Sequence, residues 1–145
     1  MKFSKVAYIL KNNLGFSSDS IKNLIIFHKK LLIYNKKYNL VSKSTISNIW
    51  HRHILDSAQI VKYIKFIDNN KVIDLGTGGG FPGLILAIFN KNPRFHVKLY
   101  EKSPVKRRFL EQIKNLLNLD CEIYGDIKNH TLEADYVVSR AFKKL

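Results

Sequence analysis

The chain has 145 residues, 46% of them hydrophobic and 25% charged, the balance of a single globular domain with a modest core. No apolar run approaches the ~20 residues that a membrane-spanning helix requires. The single cysteine, Cys121, excludes an internal disulfide framework and any multi-cysteine zinc site. Val6–Leu10 is apolar but short, and it runs into Lys11 without a small-residue cleavage site, so the start does not read as a signal peptide and the expected compartment is the cytoplasm.

Charge is the outstanding bulk property: 25 Lys and Arg against 11 Asp and Glu, a formal +14. Such an excess attracts polyanions, nucleic acid foremost. Lys, Asn and Ile are all abundant, however, a bias that AT-rich codon usage also produces, and Lys outnumbers Arg, the residue suited to bidentate contacts. Charge alone decides nothing.

In chain order, Phe3, Val6, Ala7, Leu10 and Leu14 recur at helical spacing, and Gly15 supplies a stop. Ser17-Ser18-Asp19-Ser20 offers N-cap oxygens for a second helix. Its apolar stripe is Ile21, Leu24, Ile25, Leu31 and Leu32, with His28 on the same face and Lys29, Lys30, Lys36 and Lys37 opposite. A third helix is predicted from Ser44-Thr45 through Ile46, Ile49, Trp50, Ile54, Ile60 and Ile64. After Asp68 the period changes. Val72–Leu75 reads as a strand, then a glycine loop and an apolar helix Leu84–Phe89. Phe95–Tyr100 is a second strand, and Ser103-Pro104 opens a helix through Phe109, Leu110, Ile113 and Leu117. Cys121–Tyr124 and Tyr136–Ser139 are the third and fourth strands. Alternation of strands and helices indicates a parallel sheet of right-handed βαβ units, with a ligand at the carboxyl ends of the strands. The expected fold is α/β, with residues 1–67 forming N-terminal helices and 68–145 a ligand-binding half of one domain.

The loop Asp74-Leu75-Gly76-Thr77-Gly78-Gly79-Gly80-Phe81-Pro82-Gly83 carries the chemistry. Gly76, Gly78 and Gly80 allow a tight turn and close approach of backbone to a ligand. Gly78, Gly80 and Gly83 satisfy the dinucleotide spacing, with Glu101 downstream near the ribose-binding distance, but an isolated match of that kind is weak. Asp74 would face a pyrophosphate unfavourably, whereas the ammonium and sulfonium of S-adenosylmethionine welcome a carboxylate. Phe81-Pro82 also puts bulk where a dinucleotide needs bare backbone. A structural turn with no ligand is the third reading. Glu101, closing strand two, can accept both hydrogen bonds of a ribose diol; its bland alternative is a solvated acid beside Lys102 or Lys106. After strand three, Asp126-Ile127-Lys128 places a polar group for an adenine amino group and Ile127 for the ring face.

The loop Asp74–Gly83 with its Phe-Pro-Gly ending, Tyr38-Asn39-Leu40, Arg52-His53-Ile54-Leu55-Asp56-Ser57 and Ser139-Arg140-Ala141-Phe142 together resemble, in order and spacing, the small-subunit ribosomal RNA guanine-N7 methyltransferases, the glucose-inhibited-division-B (RsmG) family. The resemblance implies a Rossmann-like class I methyltransferase fold, three-layer αβα, with S-adenosyl-L-methionine as donor and small-subunit ribosomal RNA or the ribosomal particle as partner, the enzyme acting as a monomer. It implies that Gly76 and Phe81 touch the donor, that Ile127 and Lys128 lie at its adenine end, and that Arg140 reaches the site from strand four. Lys128 departs from the acidic residue frequent in the family, which leaves a backbone contact there. Arg52 and His53 fit either packing of the helical layer or contact with RNA, the former being favoured.

Guanine N7 carries a lone pair and no proton, so no acid or base is expected, and Arg140 is expected to position phosphate or base. Alignment is the expected source of rate. The resemblance further implies more strands than the four read here, so strand four is expected at a sheet edge with Val137 and Val138, and the chain by itself is expected to show little methyl transfer. The rival classes are a nucleotide-cofactor oxidoreductase and a non-catalytic basic RNA-binding module.

Overall fold

The structure, a computed structural model, describes residues 2–126 and 133–140. Helix α1 (Phe3–Asn12) buries Val6 and Leu10, and the chain turns out of it at Gly15, whose φ of 81° lies in the left-handed region. Helix α2 (Ser18–Asn35) starts where its serines predict: Ser17 Oγ accepts the Ser20 N–H at 3.0 Å.

The buried line of α2 is Ser20, Leu24, Phe27, Leu31 and Asn35, rotated from the apolar stripe expected from sequence. Phe27 sets that rotation, its ring meeting Phe81 at 5.5 Å and Phe109 at 6.1 Å between centroids. The two polar members are satisfied inside the fold. Ser20 Oγ donates to the Ile88 carbonyl at 2.8 Å, and Asn35 Oδ1 accepts from the N–H groups of Leu40 and Val41 at 2.8 and 2.9 Å.

The predicted third helix forms, but its winding is not uniform. It consists of a 3-10 turn Ile46–Asn48, a π-helical stretch Trp50–Leu55, a short helix α3 (Asp56–Ala58) and a 3-10 segment Gln59–Tyr63. Ile49 and Ile54 are both buried, and their five-residue separation matches a wide π turn rather than an α-helical one. Periodicity read in α-helical steps cannot register that insertion.

Four parallel strands follow: β1 (Lys71–Leu75), β2 (His96–Tyr100), β3 (Glu122–Tyr124) and β4 (Tyr136–Val138), in the order β3-β2-β1-β4. Helix α4 (Gly83–Phe89) joins β1 to β2, and α5 (Pro104–Leu117) joins β2 to β3. Val72 pairs with Val97 and Asp74 with Leu99 in register, so the carboxyl ends of β1 and β2 finish level. β1 also pairs with β4, Asp74 opposite Val138. β4 is one of the two edge strands of the sheet among the described residues, with Val137 exposed. α5 is capped by Ser103 Oγ, which accepts the Lys106 N–H, with Pro104 in the first turn.

One hydrophobic core runs from Val6 and Leu24 in the N-terminal helices through Leu84 and Ile88 of α4 to Val97, Leu99 and Phe109. Cys121 is buried within it, and burial pushes its thiol up to about 11, which leaves it unreactive at neutral pH. No helix among the described residues is long and apolar enough to cross a membrane.

Candidate functional site

The glycine loop begins where β1 ends. Gly76 and Thr77 donate their N–H groups to the Tyr100 carbonyl at 2.9 and 3.1 Å, so the turn out of β1 is tied to the end of β2. The chain then winds on itself, Gly80 N–H and Phe81 N–H both reaching the Thr77 carbonyl, and enters α4 through the Pro82 N-cap position. Gly76 and Gly78 have φ of 72° and 59°, and a Cβ at either would meet nothing within 4 Å. Space is therefore open above this backbone. Gly83 is different in kind: a Cβ there would lie 2.0 Å from Leu99 Cδ2 and 2.7 Å from Asp74 Oδ2.

Asp74 is 1% exposed. Its Oδ2 accepts the Gly83 N–H at 2.8 Å and clamps the two ends of the loop together. Oδ1 and the Thr77 hydroxyl are buried without a partner in good hydrogen-bonding geometry. Burial pushes the Asp74 carboxyl up to about 7, with nearby Glu101 adding to the rise, while the adjacent Thr77 hydroxyl, the Gly83 N–H and Arg140 oppose it. The Thr77 hydroxyl favours the ionised form, so Asp74 brings negative charge to the floor of the loop as pH rises through about 7.

Glu101 stands at the end of β2, its two oxygens accepting from Gly78 N–H and Ser103 N–H at 2.9 Å each. Backbone donors, rather than Lys102 or Lys106, thus orient it beside the loop. Arg107, which sequence reasoning passed over, holds that corner by donating from Nη1 to the carbonyls of Glu101 and Lys102 at 2.7 and 2.8 Å.

Phe81 is buried on the side of the loop facing the N-terminal layer. Its ring lies 5.1 Å from the His53 ring, and the Arg140 guanidinium sits over it at 5.6 Å. His53 shares a 2.8 Å hydrogen bond between Nε2 and Thr45 Oγ1, and its Nδ1 is buried without a partner. Burial, helped by Arg140, pushes its pKa down to about 4 against the pull of Asp56, so the ring is neutral at physiological pH. Arg140, just past β4, donates to Ser57 Oγ at 3.3 Å and to the Arg52 carbonyl at 3.1 Å, and its Nε lies 3.4 Å from Asp56 Oδ2. The residues Arg52–Ser57 and Arg140, distant in sequence, thereby meet beside Phe81.

The structure brings together Asp74, Gly76, Gly78, Gly80, Phe81, Glu101 and Arg140. Ile127 and Lys128 lie outside the described residues. Thr77, Asn35 and Arg107 also support the site, and Gly83, read from its spacing alone, owes its place to close packing against Leu99 and Asp74. Thr77 sits inside the loop string and was within reach, whereas Asn35 and Arg107 carry no local signal because their partners are backbone groups fixed only by the fold. Among the described residues no group of His, Cys, Asp and Glu could hold a metal ion.

A glycine loop between the first strand and its helix, with carboxylates at the ends of neighbouring parallel strands, defines a Rossmann-like αβα fold of the class I methyltransferase type. A solved structure of coclaurine N-methyltransferase, bound to N-methylheliamine and S-adenosylhomocysteine, shares this fold with a TM-score of 0.54 at 14% identity, over 96% of this chain and 49% of that one.

The family model described as rRNA small subunit methyltransferase G matches residues 20–145, and the chain belongs to that family. Among relatives named ribosomal RNA small subunit methyltransferase G, that of Pelagibacter ubique is 35% identical over 144 residues, covering 95% of this chain and 67% of the relative. That of Bartonella tribocorum is 41% identical over 134 residues, covering 89% of this chain and 62% of the relative. The chain spans about two thirds of the length of these curated relatives.

Proposed function

We propose that the chain serves S-adenosylmethionine-dependent methylation of guanine N7 in small-subunit ribosomal RNA, acting in the cytoplasm as a monomer, with residues 1–67 and 68–145 forming one functional unit. The observation that carries this reading is the loop Asp74–Gly83: open space over Gly76 and Gly78 beside a buried carboxylate. That combination fits a cationic adenosyl compound and disfavours a pyrophosphate.

When bound, S-adenosylmethionine would supply a methyl already activated on a sulfonium, and guanine N7 would offer the lone pair that receives it. Asp74 Oδ1 would offset positive charge at the methionine end. Gly76, Gly78 and Gly80 would present bare backbone to the donor, and Phe81, its ring buried, would contribute main-chain contact. Glu101 has lone pairs left beyond its two backbone donors and would take the ribose hydroxyls. Ile127 and Lys128 are proposed for the adenine end. Arg140 would act mainly by fixing the wall beside Phe81, since its donors engage Ser57, Arg52 and Asp56. N7 has no proton to lose, so a neutral His53 is needed as packing rather than as a base. Alignment supplies the rate.

Calorimetry with S-adenosylhomocysteine tests the reading. Saturable one-to-one binding, accompanied by a rise in melting temperature, is expected. Stabilisation by NADH instead, or by neither ligand, overturns it.

A further inference from the structure

Beside the Arg140 contacts lies a polar cleft of about 470 Å³, lined by His51, Arg52, Leu55, Asp56, Gln59 and Arg140. Its position is informative. Glu101 marks the ribose side of the proposed donor site at the end of β2, so the reacting end lies toward the opposite neighbour of β1, which is β4. The cleft opens at the carboxyl end of β4, and Arg140 belongs both to its wall and to the face of Phe81 in the loop. A substrate entering here would approach the loop from the side away from the adenosine.

The chemistry of the wall is also selective. Asp56 is 57% exposed at its side chain, and its Oδ2 is steadied by Arg140 at 3.4 Å. A carboxylate oxygen has two lone-pair directions, so the Arg140 contact orients the group and leaves both oxygens able to accept. A fixed, outward-facing carboxylate pairs with two adjacent N–H donors on one edge. Guanine alone among the four RNA bases presents such a pair, N1–H and the N2 amino group; adenine would set its N1 lone pair against the acid. The N7 atom lies on the opposite edge of the purine, so a base held by N1 and N2 leaves N7 free of Asp56 and open to methylation. Enzymes that modify a base read its Watson–Crick edge in this way once it has left the stack.

We propose that this cleft docks the target guanine and that Asp56 is the residue that specifies it, with Arg140 as its positioning partner. The assignment rests on the methyl-transfer reading. Exposed Arg52 and His51 lie on the same wall and suit the phosphate and the base face of the extruded nucleotide.

Titration of the S-adenosylhomocysteine-loaded chain with GMP, IMP and AMP, followed by amide chemical shifts, tests it. GMP is expected to shift His51, Arg52 and Gln59, and to bind roughly tenfold more tightly than AMP, as a bidentate contact discriminates. IMP, which lacks the N2 amino group, is expected to fall between them. Asp56→Asn is expected to abolish the preference for GMP while leaving S-adenosylhomocysteine affinity within about twofold. Equal binding of GMP and AMP by the unaltered chain, or GMP shifts confined to other surfaces, overturns the assignment without any variant. Failure of S-adenosylhomocysteine to bind removes the methyl-transfer reading and this inference with it. Donor binding without GMP shifts in the cleft removes this inference alone.

Discussion

At Gly83 a single missing side chain decides whether the loop can close. A Cβ would collide with Leu99 Cδ2 and with the carboxylate that ties the loop. Gly83→Ala must therefore push β2 or Asp74 aside, and the expected cost is about 1–3 kcal/mol, the usual scale of overpacking. Urea denaturation should show a lower midpoint with an unchanged slope; an unchanged midpoint would mean the loop yields freely. Asp74 makes a second residue-scale prediction. Its pKa stands at about 7 against an ordinary 3.8, so the folded chain holds this proton more tightly than the unfolded chain. That contribution to stability is complete below pH 3.8 and is lost as pH rises through about 7. Binding a cationic donor favours the opposite, ionised form. Affinity for S-adenosylmethionine should therefore rise with pH through about 7, with proton release on binding that Asp74→Asn removes. Calorimetry in buffers of different ionisation enthalpy measures that proton, and zero release would contradict the assigned role of Oδ1.

Between elements, the contact of interest is that of the segment after α2 with the loop. Asn35 accepts two buried N–H groups, from Leu40 and Val41, and so shapes the chain where Leu40 comes against Gly79. Asn35→Ala leaves those donors without an acceptor, at an expected cost of about 2–3 kcal/mol. S-adenosylhomocysteine affinity should fall as well, because the loop loses its support from below. Lys36→Ala, exposed one position further on, should change neither quantity. Equal effects from both variants would show that Asn35 is ordinary helix surface. The π-helical stretch has a comparable role: it carries His53 to Phe81, and Asp56 and Ser57, just beyond, to Arg140, joining the N-terminal layer to the sheet through polar as well as apolar contacts.

For the molecule as a whole, the +14 charge becomes meaningful once a polyanionic substrate is proposed. Electrostatic capture of RNA releases counterions, so affinity for small-subunit ribosomal RNA should fall by at least about tenfold between roughly 50 and 200 mM salt. Filter binding across that range gives the slope directly. A flat dependence would assign the lysines to compositional bias.

The succession of strands and helices, the cap at Ser17, the Pro104 start of α5 and the glycine loop were all legible in the chain, because each depends on residues a few positions apart. The stripe of α2 and the winding of the third helix were not. Phe27 outranks its neighbours only because Phe81 and Phe109 are there to meet it, and the π turn exists because Ile49 and Ile54 must both reach one core. The family to which the chain belongs could be read from residue type and spacing alone. Tertiary structure decided that Asp74 is a buried clamp, that Phe81 turns inward, and that Arg140 meets Asp56 across the sheet edge. Those outcomes depend on burial and on partners far away in sequence, and desolvation acts on a side chain only after the rest of the chain has enclosed it.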